Sequence, residues 1–107
     1  MATDATVETF DDLTREGAVL VDFWGPRCAP CLQFMPHVLA LEEELAGGVR
    51  VVKVDASQNR QICRDLRVLG LPTYVFMRDG VEMQRISGDD ATLDVIRQGM
   101  SELTQGG

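Results

Sequence analysis

Cys28 and Cys31 stand three positions apart in "WGPRCAPC" (Trp24 to Cys31), directly after the apolar run "VLVDF". The chain has three cysteines in 107 residues, and two of them are placed here. Thiols at this spacing serve as a structural clip, as half of a metal site or as a reacting pair. At a strand-to-helix junction, an i, i+3 spacing puts both sulfurs on one helix face, close enough to bridge. With Cys28 as the cap residue, Pro30 has no N–H to offer, and the Cys31 amide becomes the natural donor to a Cys28 thiolate. The partial positive charge of the helix N-terminus favours that thiolate and makes Cys28 the nucleophile. Cys31, one turn deeper, is then the resolving thiol.

The other readings of the pair are weaker. A static clip would close a very small loop and would constrain the unfolded chain little. A zinc site would have to draw on Cys28, Cys31, Cys63 and His37, the only histidine. His37 lies roughly 9 Å along the helix axis from Cys31 and about 240° around it. Metal bonds of about 2.0 to 2.3 Å do not easily collect both. No metal is therefore expected, and His37 reads as a surface residue. Cys63, beside inward-facing Ile62 on a short helix, reads as a small buried or half-buried apolar residue. A regulatory thiol is the sharper alternative there.

The elements that must position this pair are legible in the pattern. "VLVDFW" (Val19 to Trp24) and "VRVVKVD" (Val49 to Asp55) are β-branched runs without clean alternation, as expected of central strands buried on both faces. Between them Phe34, Val38, Leu41 and Leu45 recur on one face of a helix that ends at Gly47 and Gly48. Pro36 falls inside that helix and predicts a kink. A shorter helix is expected from Asn59 to Leu66, with Ile62 and Leu66 facing inward. "TYVFM" and "VEMQRIS" flank Arg78-Asp79-Gly80, a strong signal for a tight antiparallel hairpin. Leu93, Ile96, Met100 and Leu103 mark a closing helix, with Asp89 or Asp90 able to cap its start. A weak first strand and helix are expected around Val7 to Glu16. The order implies an α/β fold: a mixed sheet of about five strands with about four helices on its faces.

Composition sets the class. Hydrophobic residues make up 45% and charged residues 25%, the balance of a soluble globular protein. There is no repeat, low-complexity tract or linker, so residues 1–107 are expected to form one domain. A formal net charge of -7 argues against nucleic acid and anionic membrane as partners. The opening "MATDATVETFDDL" does not read as a secretion signal, and no stretch approaches the ~18 apolar residues of a membrane span. A cytoplasmic monomer is expected. In a reducing compartment, a close cysteine pair is reactive or metal-binding rather than a permanent staple.

At this point the chain resembles the thioredoxin family. The resemblance rests on "VDFWGPRCAPC", Pro36 in the following helix, "VVKVDASQN", "LGLPTYVFMRDG" and Gly88 before the last helix. It implies that Cys28 attacks a disulfide in a partner protein and that Cys31 resolves the mixed disulfide. Asp22 matches the family's buried acid behind the resolving cysteine. An Asp inside "VLVDFW" is expensive to bury, and burial raises its pKa toward a range useful for proton exchange. The plain alternative is a carboxylate at a wet strand end. Lys53 matches the lysine near that acid, with an edge-facing solvated lysine as the equal alternative.

The resemblance also makes Pro72 a cis proline facing the cysteines, although only about 5 to 6% of such bonds are cis in general. That turn would leave the Leu71 backbone free to pair with an extended substrate segment. Trp24, Leu71, Pro72 and Gly88 would form a shallow docking surface, the alternative for Trp24 being core packing. No bound cofactor is implied. The electrons would come from a separate thioredoxin reductase-like donor and would pass to disulfide-containing target proteins.

Three positions depart from the family pattern: Arg27 replaces a tryptophan, Ala29 a glycine and Leu32 a lysine. None removes a reacting group. Arg27 favours the Cys28 thiolate or is merely a solvated charge, Ala29 restricts the turn, and Asp89 puts an acid beside the docking surface. A disulfide reductase is the leading expectation. An oxidase or isomerase with a more oxidising potential, and a non-catalytic binding module, are the alternatives.

Overall fold

A computed structural model describes residues 2–105. Its sheet is built around β2 (Ala18–Trp24), where Val19 to Phe23 are all buried. β2 pairs in parallel with β3 (Arg50–Asp55) and antiparallel with β4 (Thr73–Arg78). β1 (Thr3–Asp4) runs parallel along the outer edge of β3, and β5 (Val81–Ser87) runs antiparallel along β4, giving the order β1-β3-β2-β4-β5.

The mostly apolar runs of β2 and β3, interrupted by Asp22 and by Lys53, follow from helices on both faces. Leu20 and Val51 pack with Val38 and Leu41 of α2 (Ala29–Glu44) and with Ile96 and Met100 of α4 (Leu93–Gln105). Val19, Val21 and Phe23 point the other way, to Phe10 of α1 (Phe10–Thr14) and Ile62 of α3 (Arg60–Asp65). α4 comes so close to the sheet that a Cβ on Gly99 would lie 2.4 Å from the Phe76 ring.

The β4–β5 turn has Asp79 and Gly80 both at positive φ, 51° and 82°, as a two-residue Asp-Gly hairpin requires. Asp79 also accepts the Gly17 amide at 2.7 Å, tying the hairpin to the entry of β2. Helix α2 continues through Pro36, and α3 lies within the expected span, with Ile62 buried and Leu66 half-buried.

Two expectations need correction. The first strand is Thr3–Asp4, before Val7, which is exposed. Two polar residues carry no hydrophobic signal; what makes them a strand is their register against Val52 and Lys53 and the Ala5 amide on the Lys53 carbonyl at 2.9 Å. The cap of α4 is also different. Gly88–Asp90 form a short 3₁₀ turn, and Thr92 Oγ1 accepts the Val95 amide at 3.3 Å. Asp89 and Asp90 are used up in the turn that precedes the helix.

Candidate active site

The site forms where β2 hands over to α2. Cys28 is the N-cap of α2 in extended conformation, and its Sγ accepts the Cys31 amide at 3.3 Å. Ala29 and Pro30 occupy the two intervening positions, and both are exposed. The sulfurs are joined in a disulfide with the Cα atoms 5.3 Å apart, so this is the oxidised state, and Cys28 Sγ stands in for the free sulfur of the reduced one. Cys28 is half-buried and Cys31 fully buried. A partner disulfide can therefore reach the first sulfur and not the second.

Asp22 is fully buried inside β2, which removes the wet strand end as a description of it. It lies on the same face as Leu20, which packs on Val38 and Leu41. Two residues further along β2, the side chain is carried toward the early turns of α2, where Cys31 is buried. Burial pushes the Asp22 carboxyl up from 3.8 to about 7, against the opposing pull of the Lys53 cation. Lys53 is in register with Asp22 across the β2–β3 ladder and pairs with Asp4 at 3.3 Å.

The Leu71–Pro72 peptide bond is cis, Pro72 is buried, and its carbonyl accepts the Gly88 amide at 2.9 Å. The hollow beside Cys28 is lined by Gly25, Pro26, Arg27, Ala56, Ser57 and Leu71. Leu71 and Gly88 share a second hollow with Arg67 and Arg85. Of the expected docking residues, Leu71 thus joins the sulfur to the Gly88 side. Trp24 lines neither hollow; it is half-buried, and its Nε1 has no partner among the described residues. Arg27 and Leu32 are exposed, as is His37 on α2. Cys63 is unpaired and half-buried, with its thiol pushed up by burial against the opposing Arg60 charge.

Sequence reasoning did not single out Tyr74, which stands opposite Asp22, nor Ala56 and Ser57, which line the hollow at Cys28. Tyr74 sits in the apolar run "TYVFM", which marks it as buried, but only the strand register brings it to the acid. Among the described residues, no group of three or more His, Cys, Asp or Glu is placed to hold a metal ion. None of the helices described is long and apolar enough to cross a membrane.

Known proteins share this architecture. A thioredoxin from Malassezia sympodialis superposes with a TM-score of 0.88 at 22% identity, covering 96% of this chain and 93% of that one. A thioredoxin variant from Halobacterium salinarum gives 0.85 at 27% identity, covering 96% and 90%. In sequence, the thioredoxin of Acetoanaerobium sticklandii is 37% identical over 87 residues, 79% of this chain and 83% of its own length. That of Mycobacterium tuberculosis is 33% identical over 96 residues, 90% of this chain and 82% of its own. The thioredoxin family model matches residues 2–102, and with relatives this similar and a cysteine pair at bonding distance, the chain belongs to the thioredoxin family and is a thiol:disulfide oxidoreductase with protein-disulfide reductase activity.

Proposed function

We propose that Cys28 is the attacking thiol, Cys31 the resolving thiol and Asp22 the acid that exchanges the Cys31 proton. The Cys28 thiolate attacks one sulfur of a partner disulfide; that bond breaks, and the partner's other sulfur leaves as a thiolate. Cys31 then gives its proton to Asp22 and attacks Cys28 Sγ. The second partner sulfur leaves, and the Cys28–Cys31 disulfide remains. The partner gains two electrons, and the dithiol supplies them.

What supports this assignment above all is the Cys31 amide on Cys28 Sγ at 3.3 Å, at the N-cap of α2. That donor and the helix terminus both favour negative charge on Cys28 and none on Cys31. Buried Asp22, with its carboxyl at about 7, is able to take a proton near neutrality. Arg27, Ala29 and Pro30 shape the cap, Lys53 moderates Asp22, and Leu71, Pro72 and Gly88 receive the partner backbone. Electrons return from a thioredoxin reductase-like donor. Residues 1–107 act as one domain and as a monomer in the cytoplasm, where reducing conditions keep the dithiol charged and a net charge of -7 opposes self-association.

Cys31→Ser, incubated with insulin, is expected to accumulate a mixed disulfide on Cys28 that mass spectrometry locates. Cys28→Ser is expected to accumulate none. An adduct on Cys31 in the second variant, or none in either, overturns the assignment.

A further inference from the structure

The chain has ten Lys and Arg residues, and six are tied into the frame. Arg15, Lys53, Arg85 and Arg97 pair with Asp12, Asp4, Glu82 and Glu44. Arg50 donates to the Leu13 and Glu16 carbonyls and Arg78 to that of Leu103. The remaining four are Arg27, Arg60, Arg64 and Arg67, all exposed. None of them makes an ion pair among the described residues, and the one side-chain bond in the group joins Arg64 to Gln61.

One of these four cations lies at the reacting sulfur and the other three in the hollow that adjoins it. Arg60, Arg64 and Arg67 line a hollow of about 680 Å³ with Cys63, Leu69 and Leu71. Arg27 lines the adjoining hollow at Cys28, and both hollows include Ala56 and Leu71. The two are one strip: apolar at Leu71 and Leu69, the latter 98% exposed, and basic along α3. Among the described residues no carboxylate lines either half, and Asp89 and Asp90 line neither. The strip therefore reverses the sign of a chain that carries -7 overall. Its far end is held in place, because Arg85 donates to the Leu66 carbonyl at 2.7 Å and to that of Arg67 at 3.1 Å.

We infer that this strip selects partner proteins in which the segment beside the reacting disulfide is extended, carries an apolar side chain next to the cysteine and is acidic beyond it. The occupant is the partner segment itself, since the strip runs unbroken from Cys28. Arg60 and Arg64 stand one turn apart on α3, about 6 Å along its axis, and Arg67 follows at positive φ just past the helix end. The helical pair alone spans about two residues of extended chain, and Arg67 lengthens the basic run beyond them. The apolar side chain packs on Leu71 and Leu69 while the carboxylates meet guanidinium groups left without counter-charges. This inference rests on Cys28 being the attacking thiol.

The test uses peptides of one sequence, each with a single cysteine activated as a neutral mixed disulfide and followed by three Glu, Gln or Lys residues. With the reduced protein at low salt, the Glu peptide is expected to react about threefold faster than the Lys peptide, and the advantage should shrink at high salt. The overall charge of the chain pulls the opposite way, so such a preference has to come from the strip. Arg64→Gln with Arg67→Gln should abolish the preference. Arg15→Gln with Arg97→Gln, the same charge change outside the strip, should keep it. Equal rates for all three peptides, or the same ratio in both double variants, overturns the inference and leaves the Cys28 assignment intact. If the protein reduces none of the peptides, the Cys28 assignment fails and takes this inference with it.

Discussion

Asp22 and Tyr74 face each other directly across the β2–β4 ladder, both fully buried, and neither the carboxyl nor the phenol oxygen has a hydrogen-bond partner among the described residues. Directly opposed residues of an antiparallel pair project from the same face with Cβ atoms about 4.5–5.5 Å apart. Burial pushes both groups up, and the Asp22 charge adds to the effect on Tyr74. Each is thereby kept protonated to a higher pH than in water. A buried acid that changes state near neutrality suits proton exchange and costs stability.

The stability cost has a definite sign. In the unfolded chain Asp22 titrates at 3.8, and in the folded protein at about 7, so between these values the native state holds the extra proton. The contribution is complete below the unfolded value and is lost as pH rises toward the folded one. Three units correspond to roughly 4 kcal/mol. Asp22→Asn cannot ionise. Urea unfolding of the oxidised proteins should show wild type losing stability relative to the variant by about that amount between pH 4 and pH 8. A difference that does not vary with pH would show that Asp22 does not titrate in this range.

Tyr74→Phe removes a buried hydroxyl that the structure leaves unpartnered and keeps the ring that packs against the α2–α4 side. An unsatisfied buried hydroxyl costs about 1–3 kcal/mol, so the variant should be more stable by about 1 kcal/mol in urea unfolding at pH 5. Destabilisation of the same size would mean that the hydroxyl is bonded, and Asp22 stands opposite it on the ladder.

The parts of this site that were legible in the sequence are local ones. The donor from Cys31 to Cys28 follows from a proline between them and a helix start, all within four residues. The Asp79-Gly80 turn and the β2 run are equally self-contained. Tyr74 was not legible, because its meeting with Asp22 depends on a strand register between segments about fifty residues apart, set by the packing of both faces. Neither was β1, whose two polar residues become a strand only against Val52 and Lys53. The arginines of α3 were visible as charges, but the loop that brings Leu71 back beside them was not.

Glu42 is a buried carboxylate on α2, and its Oε2 accepts the Val51 amide at 2.7 Å. β1 pairs only with Val52 and Lys53, so this amide lies on the β3 edge beyond Thr3, and a helix side chain supplies its acceptor. Glu42→Ala leaves a buried N–H unpaired and should cost about 2–3 kcal/mol. Glu42→Gln retains an acceptor and should lose about 1 kcal/mol or less. Thermal unfolding of the two variants separates the hydrogen bond from the charge; equal losses would assign the effect to charge alone.

Arg27 directly precedes Cys28, the proposed attacking thiol, yet its side chain is exposed and forms no ion pair among the described residues. A cation there favours the Cys28 thiolate, and solvent weakens the effect to the level of a surface pair. Arg27→Ala should move the Cys28 titration upward and slow attack on a small neutral disulfide at pH 7 by about twofold. High salt should erase the difference, because screening acts on an exposed charge and hardly touches the Cys31 amide. Stopped-flow rates across pH at two salt concentrations measure both. Superimposed profiles at low salt would leave the amide and the helix terminus as the whole source of thiolate stabilisation.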